Sequence, residues 1–108
     1  MSETSHALFL RHRARRGKRA ALIRVWDEHM PAAIEAHDGH EAYLMCASHA
    51  DPDVLVVYQQ YRDAAAAQAF LANPAYLAYL EAARRLLKGV PEVEAVDPLW
   101  SKAVGPSR

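Results

Sequence analysis

Cysteine is nearly absent from this chain of 108 residues: Cys46 is the only one. An intrachain disulfide is excluded, and so is a metal knuckle built on paired cysteines. Glycine is scarce as well, at four residues. There is no glycine-rich phosphate loop, no GxSxG elbow and no Cys-His dyad pattern. No apolar run approaches the roughly 20 residues of a membrane span. The patch from Ala7 to Leu10 is too short for the core of a secretory leader. Together these absences lead to the expectation of a cytoplasmic chain with no membrane partner.

What is present is a globular composition, with 52% apolar and 24% charged residues. One domain over 1–108 is expected, with a core at 6–98 and a C-terminal extension at 99–108. A chain this short buries only about 60–65% of its unfolded surface, so association would add what a modest core lacks. Twenty-two of the 56 apolar residues are alanine, which leaves few large anchors. The nine aromatics are Phe9, Trp26, Tyr43, Tyr58, Tyr61, Phe70, Tyr76, Tyr79 and Trp100. Net charge is zero but unevenly placed: residues 1–24 carry seven basic groups against Glu3, a net of +6, and residues 25–108 carry −6. A basic segment of this kind meets phosphates, an acidic partner or simply water. It lacks the interleaved aromatics of a nucleic-acid surface, so no nucleic-acid partner is expected.

The pattern along the chain alternates strand and helix signals. Ala7 to Arg13 reads as a strand, followed by a turn at Arg16-Gly17. From Lys18 to His37 the residues Leu22, Val25, Trp26, His29, Met30, Ala33 and Ile34 recur at helical spacing. Pro31 falls inside this pattern and predicts a kink about one turn back. Gly39 is suited to a left-handed position just past the helix end. His40 to Ser48 and Val54 to Arg62 read as a hairpin of strands around Asp51-Pro52-Asp53. The second strand is apolar on both faces, Leu55 and Val57 on one and Val54, Val56 and Tyr58 on the other. A layer of helices covers only one face of a sheet, so the other face calls for a second subunit. Asp63 predicts a helix N-cap before Ala64 to Ala72. Asn73-Pro74 opens another helix, Ala75 to Lys88. Val90 to Asp97 is a last strand, held to an edge or a late start by Pro91. The order β-α-β-β-α-α-β predicts an α+β, ferredoxin-like fold with a four-stranded antiparallel sheet and helices on one face.

Four stretches in this order resemble the antibiotic biosynthesis monooxygenase family, over about residues 7–98. Arg16-Gly17-Lys18-Arg19 is similar to its basic lead-in to the first helix. Ala36-His37-Asp38-Gly39-His40-Glu41-Ala42-Tyr43 resembles its "EPGC…Y" turn. Val57-Tyr58-Gln59-Gln60-Tyr61-Arg62 resembles its "YERWR" strand, and Ala69-Phe70-Leu71-Ala72-Asn73-Pro74 its "AHLxSP" link. The resemblance implies a dimeric α+β barrel, hence a homodimer. It also implies oxidation of a small aromatic, quinol or polyketide-like substrate by dioxygen, with no cofactor and no metal. Gln59, Tyr61 and Phe70 stand where the family carries Glu, Trp and His. The haem-degrading branch depends on Asn, Trp and His around the porphyrin, so haem degradation is not expected.

Such chemistry needs a group that takes a phenolic proton and an apolar cleft that excludes water. His29, mid-stripe on the first helix between Trp26 and Met30, is the expected proton acceptor. Tyr61 is the second expected catalytic residue, and His12, Trp26, Gln59 and Phe70 are expected to bind the substrate. His29 and Tyr61 are equally compatible with plain packing roles. His37-Asp38-Gly39-His40 has a metal-like look, but its spacing crosses a helix end and lacks a third ligand nearby, so no metal is expected. Cys46 is expected to pack within a half-buried strand rather than act as a nucleophile. Two function classes stay open: a cofactor-independent monooxygenase, and a non-oxygenase member of the same barrel such as an isomerase, cyclase or ligand-binding stress protein.

Overall fold

The computed structural model describes residues 3–102 and 105–106. Alternating burial marks β1 (His6–Arg13), which pairs antiparallel with β3 (Val54–Tyr61) in a register that sets Leu8 opposite Gln59, Leu10 opposite Val57 and His12 opposite Leu55. These side chains share the face that packs on the helices. β2 (His40–Ala47) and β4 (Glu92–Val96) are the edges of an antiparallel sheet of order β2-β3-β1-β4, the ferredoxin-like arrangement.

The helices are α1 (Arg19–His29), α2 (Pro31–Ala36), α3 (Ala64–Leu71) and α4 (Pro74–Ala83). Leu22 and Met30 seal the core from one side, and Phe70, Tyr76, Tyr79 and Ala83 seal it from the other. The caps at Asp63 and Asn73 form as expected: Asp63 accepts the Ala66 N–H at 2.8 Å and Asn73 the Ala75 N–H at 2.8 Å. Both satisfy donors that a helix start leaves without an intrahelical partner.

Four expectations are corrected. The stripe from Lys18 to His37 is not one kinked helix. The helix ends at Met30, and Pro31 begins a new one, because the missing proline N–H is harmless at a first helical position. Gly39 is not left-handed, since positive φ occurs at Gly17, Gly89 and Gly105. Its role is clearance: a Cβ at Gly39 would lie 2.6 Å from the Ala66 Cβ and 2.9 Å from the His37 ring. The last helix stops at Ala83 rather than Lys88. There the chain turns to extend β1 backwards, with Leu87 bridging Ala14 and the Lys88 N–H donating to the Arg13 carbonyl at 2.7 Å. Cys46 is exposed on the open sheet face rather than packed. The C-terminal extension adds a short ladder, β5 (Trp100–Ser101) with β6 (Gly105–Pro106).

Part of the basic N-terminal charge is structural. Arg13 pairs with Asp51 at 2.8 Å, and Arg19 donates to the carbonyls of Ser48, Asp51 and Val54. Arg13 ties the β2–β3 turn to the end of β1, and Arg19 ties it to the start of α1. Among the described residues no helix is long and apolar enough to cross a membrane.

Gly39→Ala should destabilise the fold by about 1–3 kcal/mol through overpacking. Denaturant unfolding of Gly39→Ala, Ala66→Gly and the double variant checks this. The double variant should be more stable than the sum of the single effects, because the second change removes the atom the new Cβ meets.

Candidate functional site

The helix-facing side of β3 places Gln59 and Tyr61 two residues apart on one face, where the Tyr61 hydroxyl donates to the Gln59 carboxamide oxygen. Both are fully buried, as is Phe70 of α3 above them, whose ring centroid lies 6.2 Å from that of Tyr61. Tyr43, opposite Gln59 on β2, continues the cluster. The Trp26 and Tyr43 rings are 5.9 Å apart, which brings α1 to the same place. Trp26, Gln59, Tyr61 and Phe70, four of the residues expected from the sequence, therefore meet.

His12 does not join them directly. It sits four residues along β1 from Leu8, the partner of Gln59, which is about 13 Å along a strand. There it forms its own buried pair, His12 Nδ1 and the Tyr79 hydroxyl lying 3.0 Å apart. The two centres are connected by rings in file: Tyr79 to Tyr76 at 6.3 Å, then Tyr76 to Phe70 at 6.4 Å. His29 is half-buried, and its Nδ1–H donates to the Val25 carbonyl at 2.9 Å, which leaves Nε2 as its acceptor. Among the described residues none of the ring contacts includes His29.

His40 was passed over as part of a poor metal motif. Its ring centroid lies 4.5 Å from both Tyr61 and Phe70, 4.9 Å from His37 and 5.5 Å from Tyr43. Neither of its ring nitrogens makes a hydrogen bond, although both are sealed from solvent. His37 differs: its Nε2–H donates to the Ala66 carbonyl at 3.2 Å. Sequence spacing gives no signal for this, because His40 enters the cluster only through the turn at Gly39. Among the described residues no three His, Cys, Asp or Glu side chains are placed to hold a metal ion.

Burial governs the electrostatics here. Desolvation lowers the His12 pKa to about 4, and desolvation with the neighbouring His37 charge lowers that of His40 to about 4. Both imidazoles are neutral at pH 7. Burial raises Tyr76 to about 12 and pushes Tyr43, Tyr61 and Tyr79 above the ordinary phenol value. The site is thus a set of neutral phenols, imidazoles and one carboxamide, rich in hydrogen-bonding atoms and poor in charge.

The surface carries cavities elsewhere. One, of about 470 Å³, lies between Arg15 and the outer face of α4 at Leu77, Leu80 and Arg84. Another, of about 380 Å³, lies on the open sheet face beside Phe9, Arg11 and Val56.

The family model for antibiotic biosynthesis monooxygenase matches residues 6–82, which take in β1 to β3, α1 to α3, all of α4 but its final residue, and every ring of this cluster. The chain belongs to the antibiotic biosynthesis monooxygenase family. A Nitrosomonas europaea protein of unknown function is 30% identical, with TM-score 0.80 over 94% of this chain and 96% of its own. A Mycobacterium tuberculosis protein is 28% identical, with TM-score 0.77 over 91% and 98%. A conserved Methanosarcina mazei protein retains the fold at 8% identity, with TM-score 0.77 over 87% and 92%. No curated protein matches. Within this fold Tyr61 lies between Gln59, to which it donates, and the ring of Phe70.

The lowered imidazole pKa values make stability pH-dependent. An unfolded histidine titrates near 6.5. Below that value the unfolded chain binds protons that the folded His12 and His40 refuse until about pH 4. Stability from these groups is full above about pH 6.5 and is lost progressively as pH falls toward about 4. For the buried His12 the loss is on the order of 3 kcal/mol, at about 1.4 kcal/mol per pKa unit. Denaturant unfolding between pH 7 and 4.5 checks this. In His12→Phe the slope against pH should fall by close to one proton.

Proposed function

We propose that the protein is a small cofactor-independent monooxygenase acting on a flat phenolic, quinol or polyketide-like substrate. The observation that carries this reading is the cluster of Trp26, Tyr43, Gln59, Tyr61 and Phe70, where neutral hydrogen-bonding groups are lined up inside aromatic walls. A bound phenol loses its proton, and the resulting anion passes an electron to dioxygen. Recombination at a ring carbon places one oxygen atom in the product as a quinone carbonyl, and the other leaves as water with the one hydrogen of that carbon and the phenolic proton. Exclusion of water protects the anion and the oxygen radical. In this reading Tyr61 and Gln59 orient the substrate oxygen, and Trp26 and Phe70 wall its ring. His12 backs the far end of the site through Tyr79. His29, half-exposed one helical turn beyond Trp26, takes the proton out to solvent through its Nε2.

The second reading is a binding or isomerising member of the same barrel that performs no oxygenation. It is favoured by one specific observation: the Tyr61 hydroxyl is already committed to Gln59. Oxygen-electrode traces with a panel of quinols and anthrones, with no metal, flavin or nicotinamide added, separate the two. The oxygenase reading expects uptake that depends on the protein. A positioned acid-base group is worth about 10²–10⁴-fold, so His29→Ala should lower turnover by that order. Tyr61→Phe keeps the ring and loses one hydrogen bond, so it should cost less. A parent-like rate in His29→Ala removes that residue's role, and no uptake with any substrate leaves the second reading. Haem incubated with the protein and a reductant should keep its Soret band.

We also propose that the working unit is a homodimer, sheet packed on sheet. The open face carries Phe9 at 43% and Leu44 at 62% exposure, with Val56 and Tyr58 half-buried between them, and the Phe9 and Tyr58 rings are 5.2 Å apart. Leu99 and Trp100, 62% and 66% exposed, add further apolar surface that a partner could cover. Light scattering at micromolar concentration should give twice the chain mass, and Leu44→Glu should return the mass of one chain. A stable wild-type monomer would contradict this arrangement.

A further inference from the structure

We propose that His40 is the hydrogen-bond acceptor for the hydroxyl of a flat phenolic ligand, seated against His37, Tyr43, Tyr61 and Phe70. The assignment rests on the oxygenase reading only for the class of ligand; the vacancy at His40 is a separate observation.

Two neighbouring polar groups in this box are already committed. The Tyr61 hydroxyl donates to Gln59, and the His37 Nε2–H donates to the Ala66 carbonyl. His40 alone has both ring nitrogens buried without a hydrogen bond. Folded chains seldom leave such atoms unmatched, and a group that stays so has a use for its open valence. The backbone places it deliberately. His40 is the first residue of β2, and the pairing register with β3 shifts between His40 and Ala42. An irregularity of this kind re-aims a side chain at the edge of a sheet. Just before it, Gly39 supplies the clearance that lets the turn press against Ala66 and the His37 ring. The result is an imidazole driven under α3, with Phe70 edge-on to it and Tyr61 tilted across it.

The chemistry of the box selects the ligand. Desolvation keeps His40 neutral, so it offers one lone pair and one N–H rather than a charge. Among the described residues no third ligand stands here for a metal ion. A phenol matches on both counts: its ring meets aromatic walls, and its hydroxyl donates to the open nitrogen. His40 as a whole is half-buried, so part of the residue reaches the surface although its ring nitrogens do not.

The test uses the full chain labelled with nitrogen-15 in histidine, and two probes of nearly equal shape, 2-naphthol and 2-methoxynaphthalene. Only the first has a hydroxyl to donate. The wild type should bind 2-naphthol at least about tenfold more tightly than the ether, the ratio expected of one well-made hydrogen bond. The His40 ring resonances should move on binding 2-naphthol, while those of His12, already paired with Tyr79, should stay. His40→Phe fills the box without a nitrogen and should bind both probes alike. Lack of a preference in the wild type, unmoved His40 resonances, or a preference kept in His40→Phe would each overturn the assignment. The resonance measurement needs no variant, so it decides even if His40→Phe fails to fold. Oxygen uptake with 1,4-dihydroxynaphthalene is run as a separate arm. A naphthol preference through His40 without uptake removes the oxygenase reading and leaves His40 as the ligand's partner. Uptake with unmoved His40 resonances removes the His40 assignment alone.

Discussion

The antiparallel register of β1 against β3 is the constraint from which the rest of the molecule follows. It puts Leu8, Leu10 and His12 level with Gln59, Val57 and Leu55, and so builds one continuous helix-facing surface from two strands. A slip of one residue would turn all of these side chains to the other face. Leu22, Met30, Phe70, Tyr76 and Tyr79 pack on that surface, and the other fully buried helix positions, Ala66, Ala67 and Ala83, are alanine. The scarcity of large anchors makes each of them matter more to the fold.

The same surface explains why the candidate site is neutral. Two polar residues, Gln59 and His12, occupy inward positions on the central strands, where water is excluded. A polar group there must be matched or remain uncharged. Gln59 is matched by Tyr61, and His12 by Tyr79. Each match draws a tyrosine ring inward, and the rings then contact one another from Tyr79 through Tyr76 and Phe70 to Tyr61. The aromatic file is thus a consequence of burying two hydrogen-bonding side chains on a sheet. His40 is the exception to the matching rule, and it lies where the file approaches the surface.

The opposite face of the sheet carries a different load. Val54 and Ala7 are buried there, yet Phe9 and Leu44 remain open. Charge is arranged at its edge, with Arg11 opposite Glu92 across the β1–β4 pair. The basic N-terminal segment, which by composition alone is compatible with a phosphate-binding surface, has Arg13 and Arg19 turned inward to hold the β2–β3 turn. Charge counted along the chain therefore overstated the charge that is free to meet a partner.

Element type and order were legible because they depend on local periodicity and caps. The doubly apolar β3, the Asp63 and Asn73 caps and the late-starting edge strand after Pro91 all follow from neighbours in sequence. The meeting of Gln59 and Tyr61 was legible too, since residues two apart on a strand share a face. Their family context was carried by four short motifs in order, none of them specific alone. The tertiary structure decided what depends on residues distant in the chain. It split the first helical stripe at Met30, ended the last helix at Ala83 to extend β1, and used Gly39 for clearance from Ala66 rather than for a left-handed turn. It also set His12 apart with Tyr79 and brought His40 against Tyr61 and Phe70, since hydrogen-bond matching and burial are settled only when separate elements close on one another.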